Sequence, residues 1–216
     1  MELKNYIEHT LLKQDATQEQ LSKLYEEARE YEFFGVCVNG RNTKAAKNAL
    51  KDTNVKIVTV VGFPLGACTS ETKAFEAQEA IQNGADEIDM VINVQALKDK
   101  DFEYAQKDIE TVKKACNNKP LKVIIETDLL TKDEIITACE IIKLAKADFA
   151  KTSTGFVKNG VGAKVEDVEL MAKTLKDSPV KIKASGGIKT KEQAIALIKA
   201  GAIRLGTSSG VSLVKD

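Results

Sequence analysis

Apolar residues along this chain fall into two alternating rhythms. Short runs rich in valine, isoleucine and leucine predict strands near Glu8–Leu12, Gly35–Val38, Lys56–Gly62, Glu87–Ile92, Leu121–Thr127, Asp148–Thr152, Val180–Ala184 and Ala202–Gly206. Between them lie longer stretches with apolar residues every three or four positions. One such stripe, Val165, Val168, Ala172 and Leu175, suits a helix laid on a sheet. The strands recur every ~28 residues, enough for a strand, a crossover helix and two short loops.

The helical stretches carry their own start and stop signals. Thr17-Gln-Glu-Gln20, Thr131-Lys-Asp-Glu134 and Thr190-Lys-Glu-Gln193 each read as a capping box, in which side chains satisfy the free amides of a first turn. Asn83-Gly84 and Ala200-Gly201 read as helix ends that need a left-handed residue. Pro120 and Pro179 each precede a strand, where they end helical geometry cheaply. No low-complexity linker interrupts the series, so residues 1–216 read as one α/β domain. Eight βα units favour a closed (β/α)8 TIM barrel over an open flavodoxin-like sheet. In a barrel, reactive side chains sit at the C-terminal ends of the strands.

Strand six, Phe149-Ala-Lys-Thr-Ser-Thr-Gly155, holds a lysine among residues that read as buried. Desolvation opposes its charge. Strand alternation puts Phe149 and Lys151 on one face, so Lys151 can point into the barrel near its top; a strand-end lysine that snorkels to solvent is the bland alternative. Strand seven, Lys181-Ile-Lys-Ala-Ser-Gly-Gly187, places Lys183 at a similar height and Lys181 at the opposite mouth. Two neighbouring lysines hinder each other's protonation, which leaves an amine free for nucleophilic attack. Strand four points Glu87, Asp89 and Val91 inward, and Asp89 is either half of a structural ion pair or a member of a proton relay. Lys122 shares a face with Ile124 and Glu126 and can join the charge network.

Composition narrows the alternatives. The 216 residues are 43% apolar and 30% charged with zero formal net charge, the balance of an ordinary globular protein with no basic face for nucleic acid. No apolar run is long enough to span a bilayer, and the opening Met-Glu-Leu-Lys-Asn-Tyr lacks an apolar signal segment, so a cytoplasmic location is expected. The spread of Cys37, Cys68, Cys116 and Cys139, with no Cys-x-x-Cys pair, fits reduced thiols rather than a disulfide framework or zinc knuckle. Cys37 itself reads as a small buried hydrophobe rather than a nucleophile. His9 is the lone imidazole, which argues against zinc centres with several histidine ligands and reads as structural or hydrogen-bonded. Arginine occurs only at positions 29, 41 and 204, so an anion must be held by lysine or by backbone amides. The loops Ser185-Gly-Gly187 and Gly206-Thr-Ser-Ser-Gly210, after strands seven and eight, lie where barrels commonly bind phosphate.

Taken together, these segments resemble the deoxyribose-phosphate aldolases, class I enzymes that work through a lysine Schiff base. The matching stretches are Ile7-Glu-His-Thr-Leu-Leu-Lys13, Val36-Cys-Val-Asn39, Val61-Gly-Phe-Pro-Leu-Gly66, Gly84-Ala-Asp-Glu-Ile-Asp89, Val123-Ile-Ile-Glu-Thr127, Lys151-Thr-Ser-Thr-Gly155, Lys183-Ala-Ser-Gly-Gly187 and Gly206-Thr-Ser-Ser-Gly210. They run from first strand to last in the expected order. Two departures show. The first motif usually reads Ile-Asp-His, whereas here the acid is Glu8, which leaves a bond from Glu8 to Lys183 open. Gly40 stands where proline is common.

The resemblance implies a lyase that reversibly cleaves 2-deoxy-D-ribose 5-phosphate to D-glyceraldehyde 3-phosphate and acetaldehyde, in the breakdown of deoxyribose phosphate. Lys151 would form the Schiff base, Asp89 and Lys183 would relay protons, and Gly155, Gly186, Gly187, Ser208 and Ser209 would contact substrate and phosphate. No metal or other cofactor is implied, and the expected partners are small phosphorylated sugars and aldehydes. A homo-oligomer, dimer or tetramer, is compatible with the sequence. Two other readings stay open: a lysine-dependent aldolase or transaldolase-like barrel with another donor, and a non-catalytic phosphate-binding barrel in which the lysines anchor an anion.

Overall fold

A computed structural model describes residues 2–215. Eight parallel strands close in sequence order, each paired to the next and β8 paired back to β1: β1 Ile7–Leu11, β2 Gly35–Asn39, β3 Lys56–Val61, β4 Glu87–Val91, β5 Leu121–Ile124, β6 Phe149–Lys151, β7 Lys181–Ser185 and β8 Arg204–Thr207. The helices α1 Gln18–Glu30, α2 Thr43–Ala49, α3 Ser70–Gln82, α4 Val94–Lys98, α5 Phe102–Ala115, α6 Lys132–Leu144, α7 Val165–Thr174, α8 Lys191–Lys199 and α9 Gly210–Val214 lie along the chain between and after them. Among the described residues no helix is long and apolar enough to cross a membrane.

The helix signals hold. Thr17, Thr131 and Thr190 each cap their helix with the full reciprocal box. Gly84 and Gly201, at φ 101° and 121°, follow the ends of α3 and α8 as the sequence predicts. The stripe on α7 is shifted from expectation: Val168 and Leu175 are buried, but Val165 is exposed and Met171 takes its place against the sheet. A start at Val165 puts that residue in the first turn, on the flank of the apolar face.

Strand ends differ by a residue or two, with one physical exception. The fifth strand stops at Ile124 rather than Thr127, because Glu126 adopts left-handed backbone angles, φ 60° and ψ 64°. The alternation that places Lys122 and Ile124 together therefore does not extend to Glu126.

The main apolar core lies between barrel and helices and takes the outward faces of the strands, such as Ile88, Met90 and Ile92 of strand four. The interior of the barrel is divided. A small apolar arc of Leu12, Cys37, Val58 and Val60 sits on the β1–β3 side. The rest of the interior holds buried charges, with Val91, Ile124 and Phe149 among them.

Candidate active site

Six strands contribute to one buried ion cluster. The parity of β4 points Glu87 and Asp89 inward, and the register sets Asp89 beside Lys122 of β5. Lys151 of β6 is paired in register with Lys183 of β7. Asp89 Oδ2 accepts from both Lys151 Nζ and Lys183 Nζ at 2.7 Å, while its Oδ1 accepts from Lys122 Nζ at 2.8 Å. Lys122 also reaches Glu87 Oε2 at 2.6 Å and Glu8 Oε1 at 3.4 Å. Glu8 Oε2 accepts from Lys183, so the glutamate at this position does make the bond that its extra methylene left open. Asp89, Glu8, Lys122 and Lys183 are fully shielded from solvent.

Charge counting explains how the cluster can exist. Glu8, Glu87 and Asp89 balance Lys122, Lys183 and Arg204, whose guanidinium stacks on Phe34 and approaches Glu8 Oε1 at 3.8 Å. A proton on Lys151 would be the uncompensated charge in a cluster shielded from bulk solvent. The pKa directions agree. Burial pushes the Lys151 amine below the ordinary lysine range, Asp89 opposes the shift, and the Lys183 charge adds to it. Burial also works against the charge of Lys183, but Asp89 and Glu8 outweigh it and hold that amine above the ordinary range. Lys122 is raised likewise, by Asp89, Glu8 and Glu87 against burial. Burial opposes ionisation of Asp89 too, yet Lys122, Lys151 and Lys183 hold its carboxyl well below the usual range. The expectation that both top lysines would resist protonation is thus half right. Lys183 stays charged because it has a second acid, and Lys151 has only a share of one.

Room for Lys183 comes from β8. A Cβ on Gly206 would lie 3.1 Å from Lys183 Cε and 3.0 Å from Ser185 Cβ, so a side chain there would crowd the lysine stem. Cys37, Glu8 and Asp89 have ligand atoms within 4.8 Å of one another, a spacing that could hold a cation. Those carboxylates already carry the lysine ammonium groups, and burial pushes the Cys37 thiol up to about 11.

Lys151 is the member of the cluster that reaches outward. It lines a cavity of about 220 Å³ at the top of the barrel, together with Gly155, Gly186, Gly187, Ser208 and Ser209. The expected phosphate loops are therefore brought to the same cavity as the amine. Lys13 and Lys189 line it as well, and no arginine does. The Ser209 amide donates to Thr207 Oγ1 at 2.9 Å, so an anion would meet its hydroxyl rather than that amide. The remaining predictions find structural places. His9 points away from the barrel interior, with Nε2 at 2.7 Å from Glu27 and its ring against Phe33. Lys181 lies beside Phe149 at the far mouth.

Sequence reasoning missed the roles of Glu87, Arg204, Lys13 and Lys189. Glu87 carried a signal, since its parity matches that of Asp89. Arg204 carried none, because its strand was assigned by apolar content alone.

The sequence profile of the DeoC/LacD family aldolases matches residues 5–215. The chain is 54% identical over 215 residues to "Deoxyribose-phosphate aldolase 1" of Mesoplasma florum, covering 100% of this chain and 96% of that one. It is also 54% identical to the deoxyribose-phosphate aldolase of Finegoldia magna, with 100% of both chains covered. Among solved structures it superposes on a deoxyribose phosphate aldolase of Aeropyrum pernix, described as a tetramer. The TM-score is 0.91 at 31% identity, covering 98% of this chain and 89% of that one.

Proposed function

The chain belongs to the DeoC/LacD family of aldolases, and on that premise we propose that it reversibly cleaves 2-deoxy-D-ribose 5-phosphate to D-glyceraldehyde 3-phosphate and acetaldehyde through a Schiff base on Lys151. The observation that carries this reading is a lysine amine, buried and depressed in pKa, that touches a carboxylate oxygen shared with a second lysine and opens on a cavity.

In the direction of synthesis, neutral Lys151 attacks the carbonyl of acetaldehyde. The resulting carbinolamine loses water to give an iminium. Its cationic nitrogen draws electrons, so a methyl proton leaves and an enamine forms. The nucleophilic carbon then attacks the aldehyde of glyceraldehyde 3-phosphate, and water releases the product from Lys151. Proton traffic falls to Asp89 and Lys183, directly or through water. Asp89 touches both amines, and Lys183, held charged, is a standing proton donor toward departing hydroxyl. Gly155, Gly186, Gly187, Ser208 and Ser209 hold the phosphorylated end of the acceptor, with Lys13 and Lys189 supplying positive charge at the rim.

The same reading places the whole chain, residues 1–216, in one catalytic domain that works in the cytoplasm as a homo-oligomer, dimer or tetramer. The tetrameric relative and the four free thiols support that assignment.

Borohydride reduction in the presence of acetaldehyde, followed by peptide mass analysis, tests the assignment directly. A two-carbon adduct on Lys151, absent from Lys151→Leu along with turnover, is the expected result. An adduct on another lysine, or normal turnover by folded Lys151→Leu, refutes it.

A further inference from the structure

Glu126 is a buried carboxylate that the mechanism above leaves unused. Its left-handed backbone is costly for a residue with a Cβ, and such costs persist where the surroundings impose them. The surroundings here are two hydrogen bonds to the segment that carries the Schiff-base lysine. Ile125 N donates to the carbonyl of Lys151 and Thr127 N donates to that of Thr152, both at 2.9 Å. These two amides are separated by a full residue but land on adjacent carbonyls. Glu126, between them, is squeezed out of the pleat.

The distortion aims its side chain at one residue. The Glu126 carboxylate accepts from the Thr154 amide at 3.1 and 3.3 Å and from the Thr154 hydroxyl. The Thr154 oxygen in turn accepts from the Phe156 amide at 3.0 Å, so its hydrogen bonding is fixed in both directions. Burial pushes the Glu126 carboxyl upward. Two residues on, Asp128 treats the far end of the same loop alike. It accepts from the Gly162 amide at 2.7 Å and lies 3.4 Å from Lys164 Nζ. The loop after β6 is therefore clamped at both ends by acids from the preceding turn, and Ala163 N ties it to the carbonyl of Gly186 at 3.0 Å.

Thr154 and Gly155 line the cavity alongside Lys151 and the rim glycines Gly186 and Gly187. Acetaldehyde needs only the amine. A phosphorylated acceptor must reach from the amine to the rim, and so must lie against this segment. We propose that Glu126 is a positioning residue that acts through Thr154 to hold the acceptor side of the site, leaving formation of the donor Schiff base to the barrel wall. This deepens the reading of the site given above and rests on it.

The test compares Glu126→Ala, Glu126→Asp and Glu126→Gln with the parent enzyme. Two quantities are read: the rate of borohydride-trapped acetaldehyde adduct on Lys151, and kcat and KM for 2-deoxyribose 5-phosphate. In Glu126→Ala, adduct formation is expected to stay within about twofold of the parent, while KM rises about tenfold, since misplacement of a positioning group acts on the reactant it orients. Glu126→Gln keeps an oxygen that accepts from the Thr154 amide and recovers most of the loss. Glu126→Asp keeps the charge but is a methylene short, and raises KM more than the glutamine variant does. If the alanine variant does not fold, the order of the aspartate and glutamine variants decides. Parental KM in folded Glu126→Ala, or in both conservative variants, overturns the proposal, as does loss of adduct in step with loss of cleavage. Failure of the parent enzyme to trap acetaldehyde on Lys151 would instead sink the underlying assignment.

Discussion

Replacing Lys183 with leucine removes one of the two ammonium groups that share Asp89 Oδ2. Both nitrogens lie 2.7 Å from that oxygen, so they are at most ~5.4 Å apart. At an effective dielectric constant of about 20, two unit charges at that separation repel by ~3 kcal/mol, or ~2 pKa units. The leucine variant also leaves Glu8, Glu87 and Asp89 facing only Lys122 and Arg204, so a proton on Lys151 would complete the balance instead of upsetting it. Both effects raise the Lys151 pKa. The reactive form is the free amine, so activity climbs as pH rises through that pKa, and the climb must move to higher pH in Lys183→Leu. At pH values below both the parent and the variant pKa, the free-amine fraction falls ~100-fold for a shift of two units. The assay is the initial rate of borohydride-trapped acetaldehyde adduct as a function of pH, because it reports the amine without the later proton transfers. A variant that reacts slowly at every pH with an unmoved inflection would refute the electrostatic argument and leave Lys183 as a proton carrier alone.

Glu8→Gln removes a buried countercharge from Lys183 and should destabilise the fold by ~3 kcal/mol, read as a lower urea midpoint. Burial opposes ionisation of Glu8, but the Lys122 and Lys183 charges outweigh it and hold the carboxyl below its ordinary range, so its contribution is present above the unfolded-state pKa, and the deficit should shrink as pH falls through the depressed value. Gly187→Ala, at φ 72°, would set a Cβ 2.2 Å from the Val161 carbonyl and force the rim loop to move. We expect a higher KM for 2-deoxyribose 5-phosphate with adduct formation on Lys151 retained, measured by steady-state kinetics and trapping. Alkylation of the folded protein near neutral pH should label Cys68 and spare Cys37, Cys116 and Cys139, which are buried and pushed up to about 11, 12 and 12. Peptide mass mapping reads the order, and early labelling of Cys37 would contradict the burial.

The barrel was legible in the sequence because each of its devices is local. A capping box at Thr17 or Thr131 is complete within four residues, and the parity of Glu87 and Asp89 follows from strand alternation. The pairing of Lys151 with Lys183 was legible once strands six and seven were made neighbours. Contacts inside the barrel were harder to read. The bond from Glu8 on β1 to Lys183 on β7 is raised only by the family resemblance and left open there, because it depends on side-chain reach that no local pattern encodes. Glu126 escaped for the opposite reason. Its sequence reads as a continuing strand, and only the two bonds to β6 reveal the left-handed residue that ends it. Val165 shows the limit of periodicity, since the spacing was right and the angular position of the helix was not.

The division of the barrel interior has a consequence for how such an enzyme can diversify. The groups that set the basicity of Lys151 are rooted in the staves β1, β4, β5, β7 and β8, all below the mouth. Loops above can lengthen, shorten or change sequence without altering the number of charges the amine meets. Reactivity is thereby inherited with the wall, while the choice of aldehyde is left to segments that can drift. One scaffold can keep its nucleophile and trade its clientele.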